Sequence, residues 1–453
     1  MKKIIAFIFV LGLFSCEKDS KTTEQAIISG TVTGASDGKF SITGNAFEKE
    51  ITLNQDGTFT DTLSLPYSGT YQIQGANQSI YLEPNQTLNF VLDIENPDAI
   101  TFTGDLAAEN GYIVKKRAIR KEVLGTKRQD LYALDEKSYL DKVNDVTKKS
   151  TDLLNASTFK SKNFKNLETK NIDYGKASLL QTYPVYHGYV TENESFVVSE
   201  SFPKVDANIN YDNAEDYNFS SAYRDLVQFN FDESVQDEVD KGGKNEDVLI
   251  SKLKTIKSEN IKNDLVEKSS YYVSLSSENL DGMYNAFLSL STDETFKKDL
   301  TEKYNKLKLV TKGKPSPKFN YENHKGGTTS LDDLKGKYVY VDVWATWCGP
   351  CIAEIPALKE VEKKYHGKNI EFVSISVDDK KDYDKWKKFV TDKQLVGTQL
   401  YADNSWQSQF VQDYVIEGIP RFILIGPDGN IISGDAPRPS DEALIKLFDE
   451  LKI

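Results

Sequence analysis

The stretch 341-VDVWATWCGPCIAEIPAL-358 holds two of the chain's three cysteines, Cys348 and Cys351. Tyr338–Trp344 is an apolar run and reads as a buried strand. A helix is expected to follow, from Gly349 to about Tyr365. Pro350 suits its first turn, where a missing N–H costs nothing. Cys348 therefore sits at a helix start, where the macrodipole and unpaired backbone N–H groups favour a thiolate. Such sites bring a thiol from about 8.5 down to roughly 3.5–7.5. Cys351 lies one turn on along the same face, so the two sulfurs can bond without unwinding the helix. Gly349 puts no side chain over them. The pattern predicts an exposed Cys348 that attacks first and a deeper Cys351 that resolves the mixed disulfide.

Other chemistries fit less well. A structural zinc needs four ligands. The chain has no second CxxC, and His187, His324 and His366 are scattered. No metal and no cofactor is expected. A passive bridge would close a trivial loop and stabilise little. A peroxidatic cysteine follows a Pro-x-x-x-Thr/Ser-x-x-Cys pattern, but Val341 and Ala345 occupy the Pro and Thr/Ser places.

Downstream, strands and helices alternate. "IEFVSISVD" and "RFILIG" read as strands and "DYDKWKKFVTDK" as an amphipathic helix. "PDGN" is a turn, "IISG" an edge strand, and Ser440–Leu451 a last helix capped by Ser440. This is one α/β domain with a central sheet.

Residues 316–453 resemble a thioredoxin-fold domain of the TlpA/ResA type, related to the AhpC/TSA redoxins. The residues that carry the likeness are Trp344-Ala345-Thr346-Trp347-Cys348-Gly349-Pro350-Cys351, Glu417-Gly418-Ile419-Pro420 and Gly426-Pro427-Asp428-Gly429. The resemblance implies a cis bond before Pro420, facing the two sulfurs. The backbone of Ile419, with Trp347, Gly349, Pro350 and Pro420, would line a groove for an extended peptide. It implies that Asp342 is a buried acid accepting the Cys351 proton and that Glu354 tunes the pair. It also implies that Pro356 kinks the helix. Trp347 is expected to shield the sulfurs and Trp344 to lie in the core.

The rest of the 453 residues is organised differently. Met1-Lys2-Lys3 followed by the apolar Ile4–Phe14 is too short for a membrane span and reads as a signal peptide, residues 1–15. Leu13-Phe14-Ser15-Cys16 resembles a bacterial lipoprotein site, which implies lipid on Cys16 and a short linker over 16–25. From 26 to 104 the text alternates like strands of a small antiparallel sandwich or barrel, with Asn54-Gln55-Asp56-Gly57 as a hairpin turn. A β-rich lipoprotein segment in this place resembles a domain of unknown function often fused to such redoxins. Residues 105–310 read as a helical domain, with Asp293 as one N-cap. Tyr183, Tyr186 and Tyr189 suit packing between helices or an aromatic groove. Residues 311–319, with Pro315 and Pro317, read as a linker to a thioredoxin domain over 320–453, and residues 316–453 alone should fold and reduce a small disulfide.

With lipid on Cys16, the only thiol chemistry left is the close pair. The net charge of −13 argues against nucleic acid as a partner. The expected protein is a lipid-anchored thiol–disulfide oxidoreductase of the bacterial cell envelope, on the periplasmic side or the cell surface. Its partners would be disulfide-bonded protein substrates and a membrane electron donor. The alternative is a ligand- or partner-binding lipoprotein with an accessory redoxin.

Overall fold

Alternation of apolar and polar residues over 25–103 closes two four-stranded sheets on a common core. The structure, a computed structural model, describes residues 25–453 apart from Ser36 and Glu194. The expected signal peptide and Cys16 lie outside the described residues. One sheet runs in the order Thr58–Ser64, Gln25–Thr33, Thr87–Asp93, Thr101–Thr103, and the other Phe47–Thr52, Lys39–Gly44, Gly69–Ile73, Gln78–Leu82. Phe40, Phe59 and Phe90 meet between them at ring distances of 5.1–6.2 Å.

Two details differ from the sequence reading. Gln25–Thr33 pairs antiparallel with Thr58–Ser64 but parallel with Thr87–Asp93, so the sandwich is not purely antiparallel. Gly30 lies in that parallel seam with φ +149°, and a Cβ there would sit 1.8 Å from the Phe90 carbonyl oxygen, which excludes any other residue. The Asn54–Gly57 turn forms, with Gly57 N–H donating to Asn54 O at 2.9 Å. It joins strands of different sheets and so makes a corner rather than a hairpin.

The chain divides into two units, one ending at Asp237 and one spanning Glu238–Ile453. The division falls inside the stretch expected as one helical domain. In the first unit, Tyr112, Leu154, Phe164 and Phe219 belong to the sandwich core. The helices Ala107–Leu124, Glu136–Ala156 and Phe164–Val190 thus complete that core at one end, and they also pack a second core of their own around Tyr139, Val143, Leu180 and Tyr183. The tyrosine series is packing at its start: Tyr183 is buried 4.2 Å from the Tyr139 ring and 5.3 Å from the Phe202 ring, whereas Tyr189 is exposed.

The second unit sets four helices, Asn245–Thr255, Glu259–Lys268, Leu280–Leu290 and Glu294–Leu309, ahead of a seven-stranded mixed sheet with helices of its own. The strand order is Thr328–Ser330, Asn320–Asn323, Thr398–Tyr401, Ile370–Ser376, Tyr338–Trp344, Arg421–Ile425, Ile431–Ser433. The apolar strand Tyr338–Trp344 is central, parallel to Ile370–Ser376 and antiparallel to Arg421–Ile425. One face packs Val341, Val343 and Ile375 against Trp386 and Phe410. The other packs Tyr340 and Phe422 against Leu358 and Phe448. Burial on both faces explains the unbroken apolar run. Trp344 is core, as expected. The short strands at 320–323, 328–330 and 398–401 escaped the sequence reading.

The stretch 311–319 is not a free linker. Gly313 N–H donates to Ile431 O at 2.8 Å, Ile431 N–H to Lys314 O at 2.8 Å, and Ser316 N–H to Gly429 O at 3.0 Å. Val310, ahead of it, is buried in the core of the sheet domain, and Leu275 packs on the same cluster. A thioredoxin-type domain cut at 316 would lose the Gly313 and Lys314 hydrogen bonds and the Val310 packing, contacts that the prolines did not lead one to expect. Asp293 caps its helix as expected, accepting from Thr295 and Phe296 N–H. The last helix spans Glu442–Glu450 and is capped by Asp441, not Ser440.

Candidate active site

The central strand ends at Trp344, and the chain turns through Ala345, Thr346 and Trp347 into the helix Gly349–Lys364. Cys348 is the N-cap of that helix, and Cys351 lies in its first turn. The two are joined by a disulfide. Cys348 Sγ accepts the Cys351 N–H at 3.2 Å and lies 3.8 Å from the Ile419 carbonyl oxygen. The Ile419–Pro420 bond is cis. The sequence elements at 348–351 and 417–420, about seventy residues apart, thus meet in one place.

The expected difference in exposure is not seen. Cys348 and Cys351 are each only 4% exposed. In the disulfide, Cys348 Sγ is drawn under its own helix start and against Ile419. What separates the two cysteines is position: Cys348 is the cap, flanked by exposed Trp347, Gly349 and Pro350, whereas Cys351 is inside the turn. A Cβ on Gly349 would meet nothing within 4 Å, so the space above the turn is open. Trp347 is 53% exposed and borders that space as a largely uncovered ring.

Asp342, on the central strand, is buried. Burial pushes its carboxyl up to about 8, with the charges of Glu362 and then Glu354 adding to the shift and a Ser374 hydrogen bond opposing it. It borders a small cavity whose walls also include Trp344, Leu358, Glu362, Ser374 and Gln399, but neither cysteine. Asp342 Oδ1, Trp344 Nε1 and Gln399 Oε1 have no hydrogen-bond partner in the structure. Glu362 was not singled out from sequence. Burial raises its carboxyl to about 7, opposed by Lys359. The signal was present in the spacing: Cys351, Leu358 and Glu362 are buried at positions i, i+7 and i+11 of one helix.

Glu354 is on the same helix, with Pro356 inside it two residues on. Its carboxylate accepts Ser440 N–H at 3.1 Å and Ser440 Oγ–H at 2.8 Å. That contact ties the redox helix to the entry of the last helix and explains why Ser440 is not that helix's cap.

Asp378 is the other residue missed. It follows the strand Ile370–Ser376 and reads in sequence as a polar strand end. In the structure it is fully buried and accepts from Thr346 N–H at 3.0 Å, Thr346 Oγ–H at 2.7 Å and Ser376 Oγ–H at 2.7 Å. It thereby fixes the turn two residues before Cys348. Asp378→Ala leaves those buried donors unpaired and is expected to cost about 2–4 kcal/mol. Urea unfolding of the two proteins measures it, and a loss below about 0.5 kcal/mol contradicts the bracing role.

A helix-capping cysteine bonded to a second cysteine one turn on, beside a backbone carbonyl on a cis-proline loop, can exchange its disulfide with an approaching thiol. Among the described residues no group of histidine, cysteine and carboxylate side chains is arranged to hold a metal.

Residues 312–433 match the AhpC/TSA family. A thiol-disulfide oxidoreductase ResA of Bacillus cereus is 30% identical over 128 residues, covering 26% of this chain and 66% of that protein. ResA of Bacillus subtilis is 29% identical over 125 residues, 27% of this chain and 66% of that one. The chain thus spans just under two thirds of the length of these relatives. The crystal structure of the thioredoxin domain of a thiol-disulfide oxidoreductase from Bacteroides vulgatus is 27% identical, covers 31% of this chain and 98% of that one, and has a TM-score of 0.29.

Proposed function

We propose, for a chain whose residues 312–433 form an AhpC/TSA-family domain of the thiol–disulfide oxidoreductase kind, that the protein reduces disulfides of secreted proteins from a lipid anchor outside the cytoplasm. The observation that carries this reading is the Cys348–Cys351 disulfide at a helix start, 3.8 Å from Ile419 O.

In the dithiol form, the Cys348 thiolate attacks one sulfur of a substrate disulfide. A Cys348–substrate disulfide forms, and the other substrate sulfur leaves as a thiolate. Cys351 passes its proton to Asp342 in the ionised form, which appears as pH rises towards 8, and then attacks Cys348 Sγ. The second substrate sulfur leaves and the enzyme disulfide closes. Two electrons have passed from the pair to the substrate, and a membrane thiol donor must return them. Trp347, Gly349, Pro350 and the Ile419 backbone hold the substrate strand, and Glu354 sets the helix position through Ser440.

Full-length protein with dithiothreitol as donor is expected to reduce insulin and precipitate its B chain well above the rate with donor alone. A rate equal to that of the donor alone would sink the reading. For the anchor, wild-type protein is expected in the membrane fraction with an acylated Cys16, and Cys16→Ser in the soluble fraction. Mass spectrometry finding an unmodified wild-type Cys16 removes the anchor.

A further inference from the structure

Only six of the chain's 56 basic residues are arginine, and the net charge is −13. Four of the six, Arg117, Arg120, Arg128 and Arg224, line two adjoining cavities in the unit that ends at Asp237. The cavities share Arg117 and Arg120 in their walls. They are far from any motif that the redox reading uses in sequence, and nothing in that reading needs them.

The inner cavity holds about 330 Å³, within the range of small-molecule sites. Its walls come from the helices Ala107–Leu124, Phe164–Val190 and Ser221–Asp240 and from sheet residues such as Gln72 and Ser79. Five cations line it, Lys116, Arg117, Arg120, Lys176 and Arg224, against two acids, Glu168 and Asp225. Glu168 is already used: it is buried, ion-paired with Lys116, and accepts from Tyr112 Oη–H at 3.0 Å and Asn171 Nδ2–H at 2.9 Å. With Asp225 counted as engaged too, the lining keeps three more cations than acids.

Three of the four arginines are also held in place. Arg117 donates to Asn77 O at 2.9 Å and Arg224 to Tyr217 O at 2.7 Å. Arg117 also faces Asp98, at 3.7 Å, which lies outside both cavities. Each hydrogen bond to a carbonyl occupies one of five donors, so the guanidinium is oriented by a neutral group while other N–H groups stay available. In the outer cavity the Arg128 guanidinium lies 3.9 Å from the Tyr186 ring centroid, which fixes its plane. A lysine-rich chain has placed its few planar, bidentate forks together, and that is the side chain suited to carboxylate and phosphate groups. Clustering like charges at a partly enclosed site is unfavourable unless an anion joins them.

We propose that the two cavities form one binding site for a small organic oxyanion, with carboxylate or phosphate groups held by Arg117, Arg120 and Arg224. The proposal is independent of the redox chemistry.

The test is calorimetric titration of detergent-solubilised full-length protein with citrate and, separately, inorganic pyrophosphate at low salt. One-to-one saturable binding is expected to at least one probe, with a Kd of about 100 μM or tighter. The tighter probe tells carboxylate from phosphate. Arg120 is exposed, so Arg120→Gln should leave the melting temperature unchanged while weakening binding at least tenfold. Arg120→Lys keeps the charge and should weaken it less than Gln does but measurably, because the fork is lost. No saturation by either probe below about 1 mM overturns the proposal. So does an unchanged Kd in Arg120→Gln, which would put the anion elsewhere.

Discussion

Cys351→Ser protein, reduced and then mixed with a disulfide-bonded substrate, is expected to accumulate covalent adducts through Cys348. Cys348→Ser should form none and should lose turnover by on the order of 10³-fold or more. The asymmetry rests on position, not exposure, since both cysteines are equally buried in the disulfide. Cys348 caps the helix, with its sulfur aimed at a backbone N–H and bordered by open space over Gly349. A thiolate there is stabilised by the helix start and can meet an incoming sulfur. Cys351 lies inside the turn, where it reaches Cys348 Sγ but no outside partner. Non-reducing gels read the result directly. Adducts through Cys351 in the Cys348→Ser protein would reverse the roles, and none in either folded variant would end the oxidoreductase reading.

Asp342→Asn is expected to make the protein more stable and slower. An ionised Asp342 is costly because its carboxyl is buried, near Glu362 and Glu354, and one oxygen lacks a hydrogen-bond partner. Its folded value of about 8 stands above the ordinary 3.8. Between about pH 4 and pH 8 the folded chain therefore holds a proton that the unfolded chain has lost. The stability associated with this group is complete below pH 4 and is lost as pH rises through 8. At about 1.4 kcal/mol per unit over roughly four units, the full effect is on the order of 6 kcal/mol. Part is offset by burying the asparagine amide, which leaves an expected gain of about 2–4 kcal/mol at pH 8 and none at pH 4. Glu362, raised to about 7, adds a slope of the same sign to both proteins. Denaturant unfolding at the two pH values measures the gap. A gap that is equal at both, or larger at pH 4, contradicts the assignment. In turnover, release of substrate from Cys348 should slow by about 10²-fold while the first attack is spared.

The redox centre was largely legible in the sequence because its parts are local. Strand, turn, cysteine pair and helix follow one another within residues 338–364, and helix geometry alone puts Cys351 one turn beyond Cys348. The motif at 417–420 was legible only through resemblance, since no spacing rule brings it to residue 348. Glu362 and Asp378 were not found, for the same reason. Each is an acidic residue on an apparently polar stretch, and its burial is created by a neighbour far along the chain: the central strand for Glu362, Thr346 for Asp378.

Domain boundaries failed where composition stood in for contacts. A run of helices looked like one body from 105 to 310, yet Phe164 and Phe219 complete the sandwich core and Val310 completes the core of the redox domain. Proline at 315 and 317 looked like a linker, but proline lacks only its own N–H, and Gly313 and Ser316 supply hydrogen bonds to the edge strand at Ile431 and to the turn before it at Gly429. The sequence by itself determined the cysteine pair, its place at a helix start and the buried central strand, because each depends on residues within a turn or two. Only the tertiary structure decided which core each helix joins, which carboxylates are buried together, and that four of six arginines share one pair of cavities, because those depend on side chains brought together from distant positions.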